Sequence, residues 1–130
     1  MRFVVLGSGT TFPDAERGPA GFAVLTPTTR LLVDGGSGTQ QRLMRAGIDP
    51  RSLDAGVYSH WHPDHMGDLI PLLFTFRVTG RERAYPIYAS DGFQTVLDGL
   101  EAIFGHWLHV DGSPVVTTPL GPEQTLGDVT

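Results

Sequence analysis

The residues with the clearest chemical potential lie at positions 59–65, which read Ser-His-Trp-His-Pro-Asp-His. Within this segment, His60, His62, Asp64 and His65 offer imidazole nitrogens and a carboxylate. These ligand types suit zinc, iron and manganese, and the absence of cysteine excludes a thiolate site of the zinc-finger type. Because four such side chains so close together serve no packing purpose, the segment predicts a metal site.

The backbone of this segment has to turn. A continuous strand would point His60 and His62 to one face and His65 to the other. The apolar run 55–58 precedes the segment and predicts a strand, which Pro63 ends before a helix can begin at Asp64. We therefore expect the ligands to converge at a loop, with Trp61 as a packing or rim residue.

The two remaining histidines, His106 and His109, follow the end of a predicted helix. Histidines at that position are commonly held by the helix dipole and the free carbonyls. We therefore interpret this pair as capping or packing residues, with metal ligation as the alternative.

Short apolar runs between glycine- and proline-rich turns predict strands at 2–6, 21–25, 30–33, 55–59, 86–89 and 115–118. Helical spacing predicts helices at 40–46 and 94–104, the second capped by Ser90 or Asp91. A third helix is predicted at 66–76, which Pro71 should bend or restart. This order of elements predicts an α+β fold with helices covering the outer face of a sheet.

The glycine-rich segments favour turns over nucleotide sites. Residues 7–9, Gly-Ser-Gly, lack the third glycine and the following helix of a dinucleotide fingerprint. Residues 35–38 lead into a helix and could cradle a phosphate, but they lack the P-loop lysine and follow Asp34. A tight turn is the better interpretation.

The pattern His-x-His-x-Asp-His at 60–65 resembles the signature of the metallo-β-lactamase-fold hydrolases. Residues 6–13 with Arg17, and residues 34–40, resemble two segments of the ribonuclease Z branch, in the same order. The resemblance covers residues 1–78. It implies that residues 1–130 form the N-terminal portion of one domain, half of a four-layer αβ/βα sandwich, truncated before the remaining metal ligands.

The resemblance also implies roles for the site residues. His60 and His62 would hold one divalent ion, and Asp64 and His65 a second, with zinc favoured and iron or manganese as alternatives. The two ions would generate a hydroxide, whose proton the catalytic Asp64 helps to steer. Asp34 would orient the metal loop by hydrogen bonding without binding metal. The alternative for Asp34 is an ordinary turn aspartate.

The implied function is metal-dependent hydrolysis of a phosphodiester, with precursor transfer RNA as a candidate substrate. The chain departs from the ribonuclease Z pattern at Gly18 and Pro63, so two alternatives stay open. One is hydrolysis of a small molecule, such as a cyclic nucleotide, sulfate ester or lactone. The other is a non-catalytic metal-binding fragment. Because four ligands cannot complete two ion sites, we expect the 130-residue chain alone to be inactive.

Net charge and hydropathy limit the partners that this chain can bind. A net charge of −5 and a pI near 5.3 give no support to nonspecific nucleic-acid binding. No apolar run approaches bilayer length and no leader is visible, so we expect a cytoplasmic protein without a membrane partner. Half of a sandwich exposes one sheet face, and Phe3, Val5 and Leu32 should lack their cover. We therefore expect a homodimer or other self-association.

Overall fold

A computed structural model describes all of residues 1–130, which form a mixed sheet in which neighbouring strands follow sequence order. The strands are β1 (Arg2–Gly7), β2 (Gly21–Leu25), β3 (Arg30–Gly35), β4 (Ala55–Tyr58), β5 (Ile87–Ala89) and β6 (Thr117–Pro119). β1, β2 and β3 pair antiparallel, whereas β3, β4, β5 and β6 pair parallel. The parallel pairs bring the carboxyl ends of β3 and β4 to the same edge of the sheet.

The helices are α1 (Thr39–Arg45), α2 (Pro63–Met66), α3 (Leu69–Val78) and α4 (Phe93–Phe104). Two short 3₁₀ turns, Pro50–Ser52 and Gly105–Leu108, precede β4 and follow α4. None of the helices combines the length and apolar character needed to cross a bilayer.

Two helix boundaries differ from the sequence prediction. The helix predicted at 66–76 is two helices, interrupted at Gly67 and Asp68. Pro71 lies in the first turn of α3, where a backbone N–H has no intrahelical partner, so it does not bend the helix. The cap predicted for α4 is also wrong, because Gly92 occupies the N-cap position at a φ of 85° without a side-chain cap.

The core lies between one face of the sheet and the helices. Alternation along the strands turns every second residue toward the helical layer. Sheet residues in the core include Leu6, Ala23, Leu32, Tyr58, Ile87 and Ala89, and helical residues include Leu43, Leu69, Leu72, Leu73, Phe76, Phe93 and Leu97. All are buried, and together they form one cluster. The helical layer therefore holds the strands that carry the site.

The opposite side of the sheet, here called the second face, is also apolar. It is formed by Phe3, Val5, Phe22, Val24, Leu31, Val33, Val57 and Tyr88. Phe3 and Val5 are exposed, as the sequence predicts, with 59% and 56% of their surfaces accessible. The prediction for Leu32 is wrong, because Leu32 pairs with Ala23 on the helix-covered side and is buried. Leu31 lies on the second face instead, opposite Val24, and is buried as well.

Arg81 fastens the loop between α3 and β5 to the segment before β4. Its guanidinium donates hydrogen bonds to the carbonyls of Arg51, Leu53, Arg83 and Ala84, at 2.8–3.0 Å. The group lies 4.5 Å from the centre of the Phe76 ring, and its partial burial lowers the pKa of Arg81. Arg81 thus helps to fix the entry into β4, together with Arg83, which donates to the carbonyls of Ser52 and Leu53.

We expect Arg81→Met to lower the free energy of unfolding by about 2 kcal/mol, because it leaves several carbonyls without their donor. Urea denaturation followed by circular dichroism measures the change. Arg77→Met is the matched control, since Arg77 is exposed near the end of α3, four residues before Arg81, and its substitution should cost little stability. Equal effects of the two substitutions would contradict this role for Arg81.

Candidate metal centre

The site is built where β3 and β4 end side by side. Asp34 lies near the end of β3, and Ser59 directly follows β4. The chain then runs irregularly to His62, which has an extended backbone with φ −65° and ψ 145°. Pro63 opens α2, as its fixed φ favours, and places Asp64 and His65 in the first turn. The predicted turn with a helix after Pro63 is therefore present.

The three histidine rings meet at this loop. The ring centres of His60 and His62 are 4.6 Å apart, and those of His60 and His65 are 4.0 Å apart. Nε2 of His65 lies 3.7 Å from Oδ2 of Asp64. No group of three or more His, Asp or Glu side chains is arranged to hold an ion. The four predicted ligands therefore lie at one loop but are not arranged around a single ion, and their metal binding stays a prediction.

Asp34 supports this loop from behind. Its buried carboxylate accepts hydrogen bonds from the Ser59 backbone N–H at 2.8 Å and from the Ser59 hydroxyl at 2.8 Å. It also lies 2.9 Å from Nδ1 of His65. Because a carboxylate can only accept, Nδ1 of His65 carries the proton and Nε2 is left to face the site. Asp34 is therefore more than a turn residue, although its effect on metal affinity stays a prediction.

The backbone of Asp34 is strained in a way that serves this contact. Its φ is 52°, in the left-handed region that few residues other than glycine adopt. Aspartate tolerates this conformation better than most side chains. The surrounding hydrogen bonds hold the conformation, which turns the carboxylate toward β4 and away from its own strand.

Ser59 orients a second histidine. Its hydroxyl oxygen lies 3.0 Å from Nδ1 of His60 while its hydrogen is donated to Asp34. The hydroxyl therefore accepts from a protonated Nδ1, which leaves Nε2 of His60 to face outward. Asp34, Ser59 and His60 form a short chain of hydrogen bonds that begins at the buried carboxylate.

The glycine turn at 35–38 packs directly against α2. A Cβ at Gly36 would overlap the carbonyl oxygen of Asp64, so only glycine allows this approach. The backbone N–H groups of Gly38 and Gln40 are occupied by the carboxylate of Asp68, at 2.9 and 2.7 Å. A phosphate cradle would need these donors free. The tight-turn interpretation is therefore confirmed for this segment.

Thr11 contacts Asp64 from the β1–β2 loop. The Thr11 hydroxyl donates to Oδ2 of Asp64 at 2.8 Å. This bond is the main reason that the pKa of Asp64 lies below its usual value, with smaller contributions from His65 and His62. The carboxylate therefore stays ionised, as a metal ligand must be.

Sequence reasoning missed the contributions of Thr11, Ser59 and Asp68. Each of the three forms a hydrogen bond with a residue at least 25 positions away in sequence. No local sequence pattern marks such contacts. The one available signal was their position beside the glycine turn and the histidine motif. Trp61 is 46% exposed, with its ring edge against His62.

The other two histidines do not join the site. His109 places Nε2 at 2.7 Å from Oε1 of Glu101, on α4. His106 is exposed and lies against Trp107, with ring centres 4.7 Å apart. Both therefore have local partners, in line with a packing role.

Residues 16–129 match the model of the metallo-beta-lactamase superfamily. The chain is 36% identical to the Ribonuclease Z of Methanopyrus kandleri over 98 residues, 75% of this chain and 34% of that protein. It is also 36% identical to the Ribonuclease Z of Methanosarcina mazei over 92 residues, 71% of this chain and 30% of that protein. The chain thus spans about a third of the length of these curated relatives.

Solved structures show the same fold. The metallo-beta-lactamase fold protein YhfI from Bacillus subtilis superposes with a TM-score of 0.77 at 27% identity, over 96% of this chain and 49% of that chain. A diphosphatase from the PhnP family gives 0.66 at 27% identity, over 96% and 52%. The short form of human tRNase Z gives 0.76 at 23% identity, over 93% and 46%. With the family match over residues 16–129, the chain belongs to the metallo-beta-lactamase superfamily.

Proposed function

We propose that this chain carries half of the metal site of a hydrolase that cleaves phosphodiesters, in the manner of a ribonuclease Z-like endonuclease. The observation that carries the proposal is the convergence of His60, His62, Asp64 and His65 on one sheet edge, backed by the buried Asp34. The relatives named Ribonuclease Z support the substrate class.

The donor set fits divalent ions held in pairs. His60 and His62 would hold one ion, and Asp64 and His65 the other, as imidazole and carboxylate donors suit zinc, with iron and manganese as alternatives. Each ion would draw further ligands from outside these residues, because two protein ligands do not complete a zinc site. Such paired ions lower the pKa of water and neutralise charge on the attacking and leaving oxygens of a phosphodiester.

The chain's own residues would orient these donors and move the proton. Asp34 fixes the ring of His65, and Ser59 fixes the ring of His60, so that both present Nε2. Asp64 is the proposed catalytic residue, whose carboxylate would accept a hydrogen bond from the attacking water and so steer its proton. Its lowered pKa keeps it ionised for this role.

Two kinds of substrate are candidates for this chemistry. Precursor transfer RNA is the first candidate because of the Ribonuclease Z relatives. The net charge of −5 offers no general attraction for RNA, so recognition would need local contacts. A small molecule, such as a cyclic nucleotide, sulfate ester or lactone, is the second candidate, and the likeness to a diphosphatase of the PhnP family favours a small phosphate compound among these.

The second face is a candidate surface for self-association. Phe3 and Val5, on the edge strand β1, form an exposed apolar surface, and its contact with water is unfavourable. We propose that residues 1–130 bury this surface by self-association, as a homodimer or a larger species.

Charge on the second face should weaken this association. We expect Val5→Lys to shift residues 1–130 toward monomer in sedimentation velocity, because a lysine there cannot be buried without a partner. Met44→Lys is the control, since Met44 is equally exposed on α1, away from the second face. A monomeric unsubstituted chain would contradict the proposed association.

Asp34→Ala should lower metal affinity by about 10- to 100-fold, because His65 and the Ser59 backbone lose their shared acceptor. Isothermal titration of the full-length protein with zinc or cobalt measures the change. Asp98→Ala, an exposed aspartate on α4, serves as the control. An unchanged affinity in Asp34→Ala would show that these hydrogen bonds do not affect metal binding.

The full-length protein should hydrolyse bis(p-nitrophenyl) phosphate, and chelators and His62→Ala should abolish that activity, while residues 1–130 alone should be nearly inactive. His106→Ala is the matched histidine control and should leave the rate unchanged, since His106 lies outside the site. Assays with a 3′-extended transfer RNA, lactones and sulfate esters separate the substrates. Turnover of a lactone or sulfate ester without any phosphodiester cleavage would reject the nuclease-like function.

A further inference from the structure

The β1–β2 loop is fixed to the rest of the protein at its end, where Gly18 is buried and the Gly36 N–H donates to the Ala20 carbonyl at 3.0 Å, whereas its outer residues lie beside the site. Residues 10–17 are all exposed. Most of the loop's hydrogen bonds are internal: the Gly9 N–H donates to the Gly18 carbonyl at 2.8 Å, and Asp14 accepts from the backbone of Glu16 and Arg17. These bonds shape the loop without fixing its position over the sheet edge.

One hydrogen bond joins this exposed segment to the body of the protein. The Thr11 hydroxyl donates to Oδ2 of Asp64 at 2.8 Å, across 53 positions in sequence. No other hydrogen bond or ion pair links residues 10–17 to residues beyond the loop. The same contact therefore acts on the placement of residues 10–17 and on the orientation of the Asp64 carboxylate.

We propose that Thr11 is a positioning residue that raises the affinity of Asp64 and His65 for their ion. Through the same hydrogen bond, Thr11 holds residues 10–17 of the β1–β2 loop over the site. The inference rests on the proposed function, because it assumes that Asp64 is a ligand. It assigns to Thr11 a role that Asp34 and Ser59 play for other ligands.

The need for such a residue follows from the geometry of the other ligands. His65 has its ring fixed by Asp34, and His60 has its ring fixed by Ser59. Asp64 lies on a one-turn helix at the surface, and its carboxylate could rotate about two side-chain bonds. The Thr11 hydroxyl bonds Oδ2, the same oxygen that lies 3.7 Å from Nε2 of His65, so the bond restricts rotation of the carboxylate and keeps this oxygen beside the ring. Partners of this kind commonly decide metal affinity.

The contact also couples the loop to the ion. If the Thr11 bond favours the metal-binding orientation of Asp64, then metal at Asp64 must favour the bond by the same factor. Metal binding would therefore reduce the motion of residues 10–17. Arg17 reports this motion, because it is exposed and trypsin cleaves after arginine.

The first test titrates cobalt into the full-length protein and its Thr11 variants. We expect Thr11→Val, which keeps the shape and removes the hydroxyl, to weaken one of two binding steps by about 10- to 100-fold. Thr11→Ser, which restores the hydroxyl, should bind as the unsubstituted protein does. Thr95→Val is the matched control, an exposed threonine on α4 far from the loop in sequence.

The second test uses limited trypsin digestion, which needs no catalytic activity. Cobalt should slow cleavage after Arg17 in the unsubstituted protein and in Thr11→Ser, but not in Thr11→Val. Cleavage after Arg45, at the end of α1, monitors general unfolding in the same digests. A protein that has merely lost stability would be cleaved faster at both sites.

The outcomes separate this inference from the proposed function. Failure of the unsubstituted full-length protein to bind cobalt overturns the proposed function and the role of Thr11 with it. Two normal binding steps in Thr11→Val, equal weakening of both steps, or no rescue by Thr11→Ser would overturn the role of Thr11 alone. Loss of one step in Thr11→Val, rescued by Thr11→Ser and accompanied by loss of cobalt protection at Arg17, supports it.

Discussion

The site depends on one buried carboxylate. Asp34 accepts the backbone N–H and hydroxyl of Ser59 and faces the protonated Nδ1 of His65. A buried carboxylate without such partners is costly, so the ends of β3 and β4 and the first turn of α2 have to stay where they satisfy it. The parallel pairing of β3 with β4 meets this requirement, because it brings Asp34 and Ser59 to one edge. The strained φ of Asp34 is acceptable only because these bonds compensate for it.

The glycines and Asp68 make the close approach to Asp34 possible. α2 rests directly on the turn after β3, with no room for a side chain at Gly36 or at Gly67. Asp68 caps α1 through its carboxylate, and its own backbone N–H donates to the Gly35 carbonyl at 2.9 Å. The turn, α1 and the start of α3 are thus tied by one residue. Small residues and a remote cap set the distance between Asp34 and His65.

Features with a local cause were predictable from the sequence. Most strands, the helix start at Pro63 and the clustered ligands follow from patterns within a few residues. Features with a distant cause were not predictable. Leu31 and Leu32 are both apolar, and only their pairing with Val24 and Ala23 decides which one faces the helices. The break at Gly67 depends on contacts of Asp68 with α1, and the bond from Thr11 crosses 53 positions. Neither leaves a mark in the neighbouring sequence.

The candidate ligands differ in how far the chain itself prepares them. His65, His60 and Asp64 each have a hydrogen-bond partner that restricts their orientation, from Asp34, Ser59 and Thr11 respectively. His62 is exposed, forms no hydrogen bond through its ring, and has the ring edge of Trp61 and the ring of His60 as neighbours. Ordering a side chain costs free energy at the moment of binding, and a preorganised side chain avoids that cost. In the proposed site, His62 is therefore the ligand that loses the most conformational entropy when an ion binds. The aromatic contact with Trp61 reduces this cost.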